Sequence, residues 1–245
     1  MYIVILTALG VGSATVLGAV IGFIFKDISR RFADIILSFA AGVMLCASVL
    51  NLIMPSLENG GKYAFLTTTL GIIVGVVVLD AIDRLTQSMS GSKEEDTTED
   101  EQRHRRVLIF VMAIAIHNLP EGIAAGVGFG TGSLADALLI AGSIALQNVP
   151  EGMVIISPMI SIGISPSRAF FYAFLTGVIE VIGAVLGYFA ITVISPILPF
   201  SLAFAGGMML YVIADEIIPA TRPYGRSATY ALIFGFLLML GFNCM

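Results

Sequence analysis

The sequence predicts an all-α, polytopic membrane protein with eight transmembrane helices, and two observations support this fold class. Of the 245 residues, 58% are hydrophobic and only 12% are charged, and the mean hydropathy is +0.99. A soluble domain of this size could not bury so much apolar surface. In addition, the apolar residues fall into eight runs of about 20 residues, the length that crosses a hydrocarbon core of about 30 Å.

Short connections join the predicted spans, and we expect residues 1–245 to form a single transmembrane domain. The chain turns apolar at Tyr2 with no preceding Lys or Arg, which indicates an uncleaved first span rather than a signal peptide. The one long connection, residues 86–106, is rich in Ser, Thr, Asp and Glu and predicts a flexible, solvated loop. A weak metal-collecting role for its acidic residues and His104 stays open. The predicted spans are 2–25, 32–56, 62–85, 107–129, 134–157, 166–194, 197–220 and 226–244.

The distribution of Lys and Arg predicts how the chain is oriented, because cytoplasmic loops of membrane proteins carry an excess of both. Nearly all cations of the connecting loops fall on one side of the bilayer, and Lys62 alone falls on the other. We therefore expect both termini outside, loop 86–106 in the cytoplasm, and a multi-pass protein of the plasma or inner membrane. The cations on the predicted inner side are Lys26, Arg30, Arg31, Arg84, Lys93, Arg103, Arg105, Arg106, Arg168, Arg222 and Arg226.

Two similar motifs lie near the middle of consecutive predicted spans: HNLPEG at 117–122 and QNVPEG at 147–152. The proline of each motif has no N–H, so the carbonyl four residues earlier loses its helical partner and must find another within the membrane. Because consecutive spans are antiparallel, the echo suggests a pseudo-two-fold axis in the membrane plane, as in inverted-repeat transporters. Apart from these motifs, we expect no long-period repeat.

Ionisable side chains accompany the motifs at mid-membrane depth, where each costs about 2.5–3.5 kcal/mol on insertion. His117 and Glu121 are four residues apart and share a helix face, and Glu151 and Glu180 reach a similar depth on the next two spans. A single buried His, or Met44 in span 2, would by itself indicate no more than packing. If the carboxylates converge, two explanations remain, protonation or a cation among them. The sequence favours a cation, since no Lys or Arg lies at that depth.

A second group of carboxylates lies nearer the predicted cytoplasmic side. These residues open span 2, close span 3 and approach the end of span 7. They have two interpretations, which the sequence leaves open: ordinary helix-end carboxylates facing water, or an acidic vestibule on the path of a cation. The group consists of Asp34, Asp80, Asp83, Asp215 and Glu216.

With these residues in hand, the chain resembles the ZIP (Zrt/Irt-like) family of divalent-metal transporters. The resemblance covers eight spans, a variable cytoplasmic loop between spans 3 and 4, and two outside termini. The paired motifs at 117–122 and 147–152 are its specific part. Gln147, where many members have His, is similar to the GufA-like subgroup.

The resemblance implies one metal site, or two adjoining ones, between spans 2, 4, 5 and 6, and an inner path toward the cytoplasm. The neutral Asn148 departs from members that carry a charged ligand there, which weakens the second site, and the loop lacks a His-rich run. The implied central ligands are Met44, His117, Asn118, Glu121, Gln147, Asn148, Glu151 and Glu180. The implied inner path comprises Asp34, Asp80, Asp215 and Glu216.

We expect a carrier that moves divalent cations into the cytoplasm by alternating access, with no organic cofactor and no enzymatic activity. The donor set suits Zn²⁺ first, then Cd²⁺, with Fe²⁺, Mn²⁺ and Co²⁺ also accommodated. The alternatives are an intramembrane zinc-dependent hydrolase, disfavoured because no HExxH sequence occurs, and a divalent-cation channel. The expected partners are metal ions and the lipid bilayer, and nothing indicates nucleic-acid binding. A homodimer stays open.

Overall fold

The computed structural model describes residues 1–24, 29–90, 118–161, 163–193, 197–221 and 226–244. Its regular elements are all helical, and no strand occurs among the described residues, in agreement with the predicted all-α class. The helices are α1 (Tyr2–Ile24), α2 (Arg30–Ala47), α3 (Met54–Asn59), α4 (Ala64–Ser90), α5 (118–128 in its described part), α6 (Leu134–Ser161), α7 (Pro166–Val193), α8 (Leu198–Tyr211), α9 (Ile218–Thr221) and α10 (Arg226–Asn243).

Six stretches of the described chain are long and apolar enough to cross a membrane, and they coincide with six of the eight predicted spans. The fourth predicted span lies partly outside the described residues, and the fifth coincides with α6. The full count of eight, and the placement of both termini outside, therefore stay predictions. The six stretches are Tyr2–Ile24, Arg31–Asn59, Gly61–Leu85, Pro166–Thr192, Leu198–Asp215 and Arg226–Asn243.

Two of these spans contain a wider, π-helical turn, Ser48–Ile53 after α2 and Val212–Ile217 after α8. Each turn comes just before a proline, Pro55 or Pro219, which has no N–H to donate to the carbonyl four residues earlier. The chain therefore bonds five residues back at both places, and the span continues through α3 or α9. The sequence analysis expected proline irregularity only at the two motifs.

Glycines bring several helix backbones into direct contact. A Cβ atom at Gly18 would overlap the carbonyl oxygen of Val149, and one at Gly187 would lie 2.5 Å from that of Ile123. The glycines of α1 and α7 therefore allow close packing of these helices against their neighbours. The glycines of the two motifs do the same: a Cβ at Gly122 would overlap the carbonyl of Glu180 on α7, and the equivalent atom at Gly152 would overlap a carbonyl of α1.

A short glycine pattern, in addition to the two motifs, is shared by α1 and α7. GSATVLGAVIG at 12–22 and GVIEVIGAVLG at 177–187 agree at six of eleven positions: three Gly, two Val and one Ala. The first glycines of the two segments meet reciprocally, since a Cβ at Gly12 would lie 2.6 Å from the carbonyl oxygen of Gly177, and the reverse distance is also 2.6 Å. Reciprocal contacts of this kind are typical of elements related by a two-fold axis.

The helices pack in two groups. In one group α1 packs against α6 and α7, and Gly122 and Gly126 of α5 lie against α7. In the other, α4 packs against α8 and α2 packs against α10, while α2 also contacts α6 and so joins the groups. This arrangement places the two motif helices, α5 and α6, in the first group, with α2 of the second group beside α6.

Replacement of Gly42 by Ala should destabilise the protein. A Cβ there would overlap the carbonyl oxygen of Leu232 on α10, and forced overpacking of this kind costs about 1–3 kcal/mol. We expect Gly42→Ala to lower the midpoint of thermal unfolding, measured by circular dichroism in detergent. The matched control is Gly142→Ala on α6, where no atom lies within 4 Å of the added Cβ and helix propensity favours Ala. Equal midpoints for the two variants would contradict the packing described for α2 and α10.

Candidate metal centre

Most of the residues expected at the centre are buried and lie on helices of the first group. Glu121, Gln147 and Asn148 have no exposed surface, and Glu180 is 1% exposed. Glu151 is only partly buried. His117 lies outside the described residues, so its expected place beside Glu121 stays a prediction.

Two of the hydrogen bonds between α6 and its neighbours at this level involve carboxyl groups. The side-chain amide of Gln147 donates to Glu121 Oε1 of α5 over 2.7 Å. That of Asn148 donates to Glu180 Oε1 of α7 over 2.6 Å. Each motif amide is thus bonded to a carboxyl group of a different helix.

The three carboxylates lie within electrostatic range of one another. Glu121 interacts with both Glu151 and Glu180, and Glu151 also interacts with Glu180. They do not form a closed cluster: in the described part of the chain, which leaves out His117, no three His, Cys, Asp or Glu side chains are close enough to hold a metal ion. The neutral amides of Gln147 and Asn148 bond two of the carboxylates instead.

Three oxygen atoms of the centre are buried and have no hydrogen-bond partner among the described residues: Glu121 Oε2, Gln147 Oε1 and Asn148 Oδ1. Buried polar atoms without a partner are rare in folded proteins, and each one calls for an explanation such as a water or an ion. Carboxylate and amide oxygens are ligands that divalent cations accept. The donor chemistry therefore fits a cation.

The centre also involves α1, which the sequence analysis did not include. The hydroxyl of Thr15, a residue 1% exposed, donates to Glu180 Oε2 over 3.4 Å. The carbonyl of Val11, one helical turn earlier, accepts from the amide of Asn148 over 3.3 Å. Thr15 is one of a few hydroxyl residues in an apolar run, and its place in the glycine pattern shared with α7 is the signal that could have indicated it.

Asn118 and Met44 are buried, 2% and 1% exposed, but the structure links neither of them to the carboxylates by a hydrogen bond. Met44 lies in the main apolar core, and its carbonyl accepts from the hydroxyl of Ser48. Their expected roles as ligands stay predictions.

The structure brings part of the predicted inner group together around Tyr211. The hydroxyl of this tyrosine donates to Asp80 over 3.4 Å, and Asp83 and Asp215 lie within its electrostatic range. Asp80 also accepts two bonds from Arg84 Nε, at 2.9 and 2.8 Å, in a partly exposed ion pair. The sequence analysis had counted Arg84 only as a loop cation.

The remaining two residues of the expected inner path are Asp34 and Glu216. Asp34 is half-buried, and its backbone carbonyl accepts from the hydroxyl of Ser38 over 2.7 Å. Glu216 lies in the π-helical turn after α8, and its side chain is outside the described part of the structure. The roles of these two residues in the inner path stay predictions.

Comparison with known proteins gives the same family as the motifs. The pattern described as ZIP Zinc transporter matches residues 83–243. The zinc transporter GufA of Myxococcus xanthus is 34% identical over 240 residues, which cover 94% of this chain and 93% of the relative. The zinc transporter ZIP11 of Xenopus tropicalis is 30% identical, with 94% and 93% covered, and the zinc transporter ZupT of Chlorobaculum parvum is 34% identical, with 93% and 91% covered.

The family pattern covers more than half of the chain, including most of α5 and all of α6 and α7, and the relatives span nearly its whole length. The GufA relative supports the subgroup that Gln147 suggested. From the two motifs, the buried carboxylates of α5 and α7, and these similarities, the chain belongs to the ZIP zinc transporter family.

Proposed function

We propose that this membrane protein carries Zn²⁺ into the cytoplasm through a centre between α2, α5, α6 and α7. ZIP family members are transporters and not enzymes, so the hydrolase alternative is set aside. The relatives are named zinc transporters, which supports Zn²⁺ as the first candidate substrate. Cd²⁺, Fe²⁺, Mn²⁺ and Co²⁺ suit the same donor types and follow it.

The observation that carries the proposal is the set of three unpartnered oxygens, Glu121 Oε2, Gln147 Oε1 and Asn148 Oδ1, within the described residues. Leaving a buried acceptor without a partner costs about 1–3 kcal/mol. A divalent cation would accept lone pairs from several such oxygens together. A purely structural polar core gives no reason for three of them on two adjacent helices.

Charge balance supports the same conclusion. Glu121 and Glu180 are fully buried, and Glu151 lies within electrostatic range of both. The described hydrogen-bond partners of Glu121 and Glu180 are Gln147, Asn148 and the hydroxyl on α1, which are neutral and supply no positive charge. A dication among the three carboxylates would supply it.

The amides of Gln147 and Asn148 have a second role in this proposal. In the structure they direct N–H groups at Glu121 and Glu180 and so stabilise these carboxylates. Turning either amide about its terminal bond would direct its oxygen at an ion instead, since both ends of an amide can bond. His117 and Met44 complete the ligand set of the first proposed metal site. Asn118 and Glu151 contribute to the second, adjoining site. Mixed and partly neutral ligands suit a carrier, because the ion must also leave.

The two helix groups support alternating access. Glycine contacts between backbones hold α1, α5, α6 and α7 together, so these helices are suited to move as one body. We propose that this body, which holds most of the ligands, shifts against α2, α4, α8 and α10 while carrying the ion. A channel would instead conduct without such movement and without saturation.

Release toward the cytoplasm would pass the inner group of Asp34, Asp80, Asp215 and Glu216. Asp80 and Asp215 both lie near Tyr211, which supports a shared acidic surface. The ion pair with Arg84 partly neutralises Asp80. We therefore propose that this group accelerates release and does not hold the ion tightly.

Replacement of Glu121 by Gln should abolish transport while the protein stays folded. The change removes one buried negative charge at nearly constant shape, and we expect uptake of Zn²⁺ into proteoliposomes to fall by about tenfold or more. The control is Asp136→Asn, which removes an exposed carboxylate at the start of α6 and should leave uptake near wild type. Wild-type uptake by Glu121→Gln, or uptake that rises linearly with Zn²⁺ without saturating, would contradict the carrier proposed here.

Replacement of Asp80 by Asn should have a smaller effect. Exposed ion pairs such as Asp80 with Arg84 contribute little, so we expect the uptake rate to fall by no more than about fivefold. Equilibrium binding of Zn²⁺ to the purified variant should be unchanged, because the central ligands are intact. Loss of that binding would show that Asp80 belongs to the principal site and not to the release path.

A further inference from the structure

Thr15 occupies in α1 the place that Glu180 occupies in α7. In the repeated pattern, Thr15 follows Gly12 by three residues and Glu180 follows Gly177 by three. Those two glycines meet reciprocally where the helices cross. The same spacing and the same crossing make the two polar residues equivalent positions on opposite sides of the pseudo-two-fold relation.

The glycines that end the two motifs make the same kind of backbone contact with these two positions. A Cβ at Gly122 would overlap the carbonyl oxygen of Glu180, and a Cβ at Gly152 would overlap that of Thr15. Each motif helix is therefore pressed against the backbone of one member of the pair. This contact restricts movement of the Thr15 backbone. It therefore fixes the position from which the Thr15 side chain extends.

The hydroxyl of Thr15 bonds to Glu180 itself. It donates to Oε2 over 3.4 Å, while the amide of Asn148 donates to Oε1 over 2.6 Å. Each oxygen of this carboxylate thus has its own donor, one from α1 and one from α6. Both Thr15 and Glu180 are 1% exposed, so water does not replace either donor readily.

We propose that Thr15 is a positioning residue for Glu180 and a determinant of ion preference, an inference that rests on the transport function proposed above. Two donors hold the carboxylate against rotation, so it offers an ion its oxygens at a fixed angle. Zn²⁺ is satisfied by four ligands and by single oxygens, whereas Mn²⁺ prefers six oxygen ligands and gains from a carboxylate that turns to chelate it. Thr15 therefore favours Zn²⁺ over Mn²⁺.

The experiment compares initial uptake rates of the two ions, Zn²⁺ and Mn²⁺, in proteoliposomes of the full-length chain. Thr15→Val removes the hydroxyl at nearly constant volume, and we expect the Mn²⁺/Zn²⁺ ratio of Vmax/KM to rise about fivefold, the effect of one hydrogen bond. Thr15→Ser keeps the hydroxyl and should restore the wild-type ratio. Thr15→Ala removes it without added bulk and should reproduce the shift if the valine variant does not fold.

The matched control is Thr176→Val. Thr176 has no exposed surface and lies one turn before Glu180 on α7, but its hydroxyl donates to the carbonyl of Ala173 within its own helix. We expect this variant to keep the wild-type ratio, although its stability falls as for any lost buried bond.

Three outcomes would overturn the inference: an unchanged ratio in both Thr15→Val and Thr15→Ala, a serine variant that shifts as far as the valine variant, or an equal shift in Thr176→Val. A change in overall rate with the ratio preserved would indicate a structural role only and would also count against it. Failure of the wild-type protein to transport either ion would instead reject the proposed function, so the two failures are distinguishable.

Discussion

The placement of glutamate carboxylates inside a membrane protein, bonded by neutral amides, is the constraint on which the rest of this structure depends. Glu121 and Glu180 are fully buried, and their partners Gln147 and Asn148 relieve the desolvation of the carboxylates but supply no countercharge. In the function proposed above, a cation would supply the missing positive charge, and the partly neutral ligands would allow it to leave again.

Close contact of helix backbones is what allows these side chains to meet. The motif glycines, Gly122 and Gly152, have no side chain at the points where α5 crosses α7 and where α6 crosses α1. At both crossings the backbone that comes close belongs to a residue of the centre, Glu180 or Thr15. The small residues at these crossings thus do two things together: they allow the helices to pack closely and they set the positions of the polar groups.

Two wider turns, at Ser48–Ile53 and Val212–Ile217, follow α2 and α8 of the second helix group. Each turn compensates locally for the backbone hydrogen bond that a nearby proline cannot donate within a long apolar span. The turn after α8 carries Asp215, so the irregularity also places an acidic side chain of the proposed release path. No such turn interrupts the described parts of α1, α5, α6 and α7.

The sequence by itself determined the membrane class, the approximate bounds of six spans and the family, because hydropathy and a rare motif are local properties that need no partner. It also indicated that Glu121 and Glu180 lie at a common depth, and the family resemblance implied Gln147 and Asn148 beside them. Only the tertiary structure decided which amide bonds which carboxylate, that Arg84 neutralises Asp80, and that α1 contributes Thr15. These are contacts between residues distant in the chain, and they depend on crossing angles and glycine approaches that no local pattern of residues fixes.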